Sequence, residues 1–116
     1  ISSHCLIPPT GDLRTAFFFP TYGHDAELRE ALKKNIQGFT ILPSKDLIKN
    51  EAFGPVKDSY CLQNSIGTIT ALSQSKNSVF YQHAFKTQFQ TLHGAHGGMT
   101  PEEMIVPLLS TRLSKL

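Results

Sequence analysis

A helix pattern between two short apolar runs constrains the fold more than any other feature of this chain. The first run, residues 16–19, ends at Pro20, and the second covers residues 39–42. Between them, residues 25–37 carry apolar side chains at the spacing of one helix face, and Gly38 supplies a left-handed stop. Each run is too short for a helix but has the length of a buried strand. This order of elements predicts an α+β fold.

The rest of the chain adds shorter elements. Ser44 is placed to cap a helix of about two turns that ends at residue 49 or 50. Residues 64–73 have the composition of a strand, and the turn at 75–77 leads into the β-rich residues 79–81, which predicts a hairpin. We therefore expect a small mixed or antiparallel sheet with two to three helices.

Composition excludes several classes of function. The chain has 116 residues, of which 40% are hydrophobic and 17% charged, so it can bury a core. A net charge of +2 is too small to predict nucleic-acid or membrane-surface binding. No apolar run approaches the roughly 18 residues of a membrane span. We expect no nucleic-acid and no membrane partner, a cytoplasmic location, and free thiols at Cys5 and Cys61, the latter buried or half-buried.

A glycine-rich stretch around one histidine is the main candidate for chemistry. Gly94, Gly97 and Gly98 surround His96 and let a bulky group approach the imidazole, which is a common metal ligand. Spacing alone favours the simpler interpretation, a turn that carries a surface histidine. No serine elbow, cysteine–histidine motif or placed pair of carboxylates is visible, so no catalytic residue is predicted.

The segment after this histidine has the signals of a short capped helix. Thr100 is the N-cap, Pro101 takes the first helical position, and Glu103 completes a capping box. Pro107 cannot continue a helix, so residues 105–109 are expected to run on as an extended, buried segment.

Residues 94–109 resemble the C-terminal end of the alkaline phosphatase superfamily, closest to its type I phosphodiesterase/nucleotide pyrophosphatase-like and PglZ-domain branch. In that branch a His-Gly-Gly-(Leu/Met)-(Ser/Thr)-x-x-Glu segment supplies a late metal-binding histidine. The resemblance makes His96 the metal ligand. The surrounding pattern is matched by Gly97, Gly98, Thr100 and Glu103. Residues 7–17 also resemble, more loosely, the start of an insertion that precedes this histidine in some members.

The resemblance implies a parent enzyme that holds two divalent metal ions, usually zinc, and cleaves phosphate mono- or diesters. The superfamily places its Thr/Ser nucleophile, its first Asp ligand and its Asp-His-Gly motif earlier in the chain, and none of these occurs here. The sequence also begins with Ile1 inside a patterned segment. We therefore expect a C-terminal fragment that is inactive and metal-free by itself.

The expected division of this fragment follows from the same resemblance. Residues 1–92 would form an inserted or cap-like α+β subdomain. Residues 93–116 would form the metal-ligand loop and the final strand of the parent catalytic domain, so that the chain is part of a larger α/β hydrolase.

The alternative is a non-catalytic protein-interaction domain, such as a PglZ-like module in a larger assembly. In it the glycine-rich stretch is only a turn before a capped helix. In either case a sheet cut from its parent leaves open edges, through which a homodimer can form. Among other candidates, Arg14 is expected in a surface ion pair with Asp12 or another carboxylate, and residues 17–19 in the core.

Overall fold

The computed structural model describes residues 1–79, 81 and 93–112, and over these residues the protein is an α+β fold built on one antiparallel sheet. The strands are β1 (Thr10–Gly11), β2 (Thr15–Phe18), β3 (Phe39–Pro43) and β4 (Ile69–Ser73), in the spatial order β1-β2-β4-β3. The helices are α1 (Asp25–Asn35), α2 (Ser44–Lys49), α3 (Ser59–Ile66) and α4 (Pro101–Met104). A short 3-10 helix covers Ser2–His4. The predicted fold class is confirmed.

The central strand β4 is buried along its whole length. It pairs with β2 on one side and β3 on the other, so that Ala71 lies between Ala16 and Ile41. Strand β2 alternates instead, with Ala16 and Phe18 buried and the residues between them half-buried. Of the three consecutive phenylalanines, only Phe18 is a fully buried core residue, while Phe17 and Phe19 are half-buried.

Helix α1 covers one face of the sheet, as the apolar spacing predicts. Leu28 and Leu32 lie one turn apart and are completely buried in the core beside Phe18 and Ile69. The helix ends at Asn35, two residues before its predicted end, because Ile36 is already extended. The predicted strand at 39–42 and the helix at 44–49 are both present, but Ser44 is the first helical residue and not the N-cap, a position taken by Pro43.

The predicted strand over residues 64–73 is wrong in its first half. Residues 59–66 form α3, and the strand begins only at Ile69. The Asp58 carboxylate caps α3 by accepting hydrogen bonds from the backbone N–H groups of Tyr60 and Cys61, at 3.0 and 3.1 Å. The apolar residues on which the strand was predicted belong to two elements, because Ile66 ends α3 whereas Ile69 and Leu72 lie in β4.

Gly67 makes the tight connection between α3 and β4 possible. Its φ is +60°, and a Cβ at this position would lie 2.3 Å from the carbonyl oxygen of Phe18. Only a residue without a side chain lets the end of α3 approach β2 this closely.

Two further predictions are corrected. Val79 and Tyr81 lie outside any strand, so the structure shows no hairpin at the described part of this segment; instead the Val79 N–H donates to the Leu13 carbonyl at 2.7 Å. Residues 105–109 lie outside any helix or strand and are exposed rather than buried, because nothing in the described part of the chain packs over them. Phe80 and the weakly patterned residues 82–92 lie outside the described residues.

Among the described helices, none has both the length and the apolar character needed to cross a membrane.

Candidate metal-ligand loop

A tight turn between β1 and β2 forms the platform of the candidate site. Asp12 and Thr15 exchange backbone hydrogen bonds of 2.7 and 3.2 Å, and Leu13 and Arg14 lie between them. Residues 94–99, which we call the glycine loop, lie against this turn. The site therefore combines residues 12–15 with residues 94–99, and the sheet holds the two segments in place.

Two hydrogen bonds attach the glycine loop to the sheet. The Met99 N–H donates to the carbonyl of Ser73, the last residue of β4, at 3.1 Å. The hydroxyl of Thr15, the first residue of β2, donates to the Gly97 carbonyl. Gly97 has a φ of +90°, a backbone conformation that favours glycine, so the loop can turn between these two attachments.

His96 lies at the exposed edge of this loop. Its Nδ1 is 3.3 Å from Oδ2 of Asp12, and 91% of its side chain is exposed. The other Asp12 oxygen, Oδ1, accepts the Leu13 N–H at 2.7 Å, which fixes the carboxylate. A carboxylate beside Nδ1 favours the tautomer with the proton on that nitrogen and leaves Nε2 free to bind a metal.

Arg14 forms an ion pair with a carboxylate other than Asp12, as the sequence allows, but the pair is buried and not at the surface. Its guanidinium pairs with Glu103, Nε to Oε1 and Nη2 to Oε2, both at 2.7 Å, and only 7% of the Arg14 side chain and 18% of the Glu103 side chain are exposed. Two further donations, to the carbonyls of Ser75 and Asn77, use the remaining side of the guanidinium. Arg14 is thus a buried structural cation and not an exposed anion-binding group.

The Glu103 carboxylate collects donors from three directions. Besides Arg14, it accepts the Gly98 N–H at 2.9 Å and both the N–H and the hydroxyl of Thr100, at 3.3 and 2.9 Å. The predicted capping box is therefore present. The hydrogen bonds from Arg14 hold the pKa of the Glu103 carboxyl far below its usual range, against the opposing effect of burial, and the Gly98 and Thr100 donors add to this.

The donor set around His96 is partial. Within the described residues, no three His, Cys, Asp or Glu side chains come together in a way that could hold a metal ion. His96 has one carboxylate beside it, that of Asp12 at 3.3 Å, and further metal ligands would have to come from elsewhere. The imidazole fits the role of one ligand, since it is exposed and its ring orientation is supported by a carboxylate.

The other candidate residues do not join this site. His93 is exposed, and His24 makes no side-chain cap to α1. The rings of His4 and His24 lie 5.3 Å apart, on the side of the fold where the chain enters α1. Cys61 is exposed, contrary to expectation, and Cys5 is half-buried with a pKa raised by that burial.

Comparison of the chain with family models, with curated proteins and with solved structures finds no match.

Proposed function

We propose that this chain is the C-terminal portion of a metal-dependent phosphohydrolase that cleaves phosphate mono- or diesters, and that His96 supplies one ligand of one of its two metal ions. The observation that supports this most is the exposed imidazole of His96, with Asp12 beside Nδ1 and Nε2 open to a ligand. The resemblance of residues 94–109 to the alkaline phosphatase superfamily gives the reaction class.

The exposed apolar residues after α4 also support membership in a larger catalytic domain. Their exposure rises from 76% at Ile105 to 94% at Leu109. A contiguous apolar segment of this kind is costly to leave in water, so it is expected to pack against more protein. Under the proposal it is the final strand of the parent catalytic sheet.

Each residue of the loop then has a limited role. His96 would hold the metal through Nε2, and Asp12, by accepting a hydrogen bond from Nδ1–H, would keep the ring in the binding tautomer. Bound at this site, the metal pair would supply activation of the nucleophile and charge screening of the phosphoryl oxygens. The nucleophile and the carboxylate ligands belong to other parts of the parent protein, and none is assigned to this chain.

The test compares two histidine variants of the complete protein encoded by this gene. His96→Ala is expected to lose zinc and to lower hydrolysis of p-nitrophenyl phosphate or bis(p-nitrophenyl) phosphate to the level seen without added metal. His93→Ala, which removes a neighbouring exposed imidazole, is expected to retain both. Unchanged zinc content and hydrolysis in His96→Ala would overturn the proposal.

The same apolar segment supports a second candidate, a non-catalytic interaction domain. In this case the complete protein binds no zinc and cleaves neither ester, and Leu108 and Leu109 contact another protein chain. Self-association that rises with concentration and is abolished by Leu108→Asp would favour it. Zinc-dependent hydrolysis that requires His96 would exclude it.

A further inference from the structure

We infer that Arg14 and Glu103 are positioning residues: their ion pair clamps the glycine loop onto the end of the sheet and so fixes where the His96 imidazole stands. The metal-binding part of this inference rests on the proposed function. The positioning itself is a statement about the chain without metal, and the two parts can be tested separately.

The geometry of the pair fixes its two side chains relative to each other. Arg14 and Glu103 are 89 residues apart in sequence, yet two parallel hydrogen bonds of 2.7 Å join them. A bidentate pair of this kind fixes orientation as well as distance, because the planar guanidinium matches both carboxylate oxygens. With 7% and 18% of the two side chains exposed, water has little access to compete for these bonds.

Arg14 is itself held in place by backbone carbonyls. Its Nη2 and Nη1 donate to the carbonyls of Ser75 and Asn77 at 2.7 and 3.2 Å. The Ser73 hydroxyl lies within hydrogen-bond distance of the same two carbonyls, at 3.1 and 2.9 Å. The guanidinium is therefore fixed to the turn that follows the central strand β4, and this gives the clamp a rigid base.

Gly98 connects the ion pair to the glycine loop. The Gly98 N–H donates to Glu103 Oε1 at 2.9 Å, and Gly98 is buried. A Cβ on Gly98 would lie 2.5 Å from Glu103 Oε2 and 2.7 Å from Arg14 Nη2. The loop backbone thus rests directly on the ion pair, two residues from His96, and only a glycine leaves room for this contact.

The position of the His96 imidazole depends on this contact. Its own attachment is a single, solvent-exposed approach to Asp12, and exposed pairs of this kind contribute little by themselves. The part-buried bond from Gly98 to Glu103, together with the bond from Thr15 to Gly97, must therefore set the position of the loop. A ligand displaced by about 1 Å binds the metal much more weakly, since metal sites require ligands held within a few tenths of an ångström.

The test uses Glu103→Gln, which keeps the size of the side chain but breaks the bidentate pair. Glu102→Gln is the matched control, because Glu102 is the adjacent, exposed carboxylate of the same helix. Three quantities are measured by nuclear magnetic resonance on the 116-residue chain: amide exchange of Gly98, the nitrogen chemical shifts of the His96 ring at pH 8, and the perturbation of that ring by zinc chloride.

Glu103→Gln is expected to accelerate amide exchange at Gly98 and to move the His96 ring shifts towards those of the exposed His93. It is also expected to weaken the response of the His96 ring to added zinc chloride, because a displaced imidazole loses its place beside Asp12. Glu102→Gln is expected to leave all three quantities as in the native protein. Circular dichroism is used to test whether each variant is folded.

A second pair of variants covers the case in which Glu103→Gln does not fold. Gly98→Ala pushes the loop off the ion pair without changing any charge, whereas Gly94→Ala adds a Cβ where nothing lies within 4 Å. Gly98→Ala is expected to shift the His96 ring signals and Gly94→Ala is not.

The possible results separate the two proposals. If the His96 ring shifts are the same in the native protein and in the clamp variants, the positioning inference is overturned. If zinc leaves His96 of the native chain unperturbed, the zinc part of the inference fails, while the ring shifts still decide whether the clamp positions the loop. Loss of hydrolysis in the complete protein's His96→Ala variant is a separate result that bears on the proposed function alone.

Discussion

At the scale of single residues, the Glu103 carboxylate makes the stability of the fold depend on pH. Its pKa in the folded protein lies far below the value of about 4.3 expected for an unfolded chain. A depressed pKa stabilises the folded state above the unfolded value, and this contribution is lost as the pH falls below it. The free energy of unfolding is therefore expected to fall between about pH 5 and pH 2.

Glu103→Gln tests this dependence. The variant is expected to be less stable than the native protein at pH 7, by several degrees in Tm, and to lose less stability on acidification because the titrating group is gone. Urea denaturation at a series of pH values measures both effects. Glu102→Gln controls for the loss of one negative charge, and an identical pH dependence in the two variants would refute the assignment.

The residue scale is also where the sequence is least informative. The capping box at Thr100 and Glu103 is a local pattern and is predicted correctly. The pairing of Glu103 with Arg14 and of His96 with Asp12 is not predictable, because each joins residues more than 80 positions apart. The sequence carries no local signal for either contact, and only the sheet brings the partners together.

At the scale of elements, the Asp58 carboxylate is expected to determine where α3 begins. Asp58→Ala removes the acceptor for two helical N–H groups and is expected to destabilise the protein by about 1 kcal/mol. The control is Asp46→Ala, since Asp46 is an exposed residue in the first turn of α2 that does not cap it, and its loss is expected to cost only about 0.3 kcal/mol. Equal destabilisation of the two variants, measured by urea denaturation, would contradict the capping role.

The end of α3 is expected to be still more sensitive. Gly67→Ala places a Cβ against the Phe18 carbonyl as well as imposing a left-handed backbone on alanine. Gly54 has a similar positive φ but open space around it, so Gly54→Ala measures the backbone effect alone, about 1–2 kcal/mol. Thermal denaturation is expected to show a clearly larger loss for Gly67→Ala. A loss equal to that of Gly54→Ala would mean that α3 does not press against β2.

Elements are predicted well where local signals agree with tertiary packing. Helix α1 has both a regular apolar face and a glycine stop, and the structure reproduces it within two residues at its end. Helix α3 is missed because Ile66 is its only buried residue, so its apolar side chains mark no clear helix face before the buried strand β4.

At the scale of the whole molecule, one core joins α1 to the sheet. It contains residues from α1, β2, β3 and β4, with Leu32 fully buried among them. Leu32→Ala is expected to cost about 2–5 kcal/mol. Leu6, which is 72% exposed, provides the control, because Leu6→Ala is expected to stay within about 0.5 kcal/mol of the native protein. Similar stabilities of the two variants in urea would contradict a single core anchored by α1.

The fold class follows from the order of strands and helices, which the sequence displays directly. The position of β4 at the centre of the sheet does not, because the strand farthest along the chain inserts between β2 and β3. The exposure of residues 105–109 is likewise a property of the whole molecule: an apolar segment predicts burial, and nothing in the described chain covers it.

The most direct test of the central claim is to read the coding DNA upstream of the codon for Ile1. A C-terminal portion of a metal-dependent phosphohydrolase requires an open frame that encodes an early Asp, a Thr or Ser nucleophile after it, and an Asp-His-Gly motif before this segment. We predict that all three are present, with His96 as the late ligand of the same metal pair. A start codon immediately before Ile1, or an upstream frame without these residues, would contradict the account and leave His96 as a loop residue of an interaction domain.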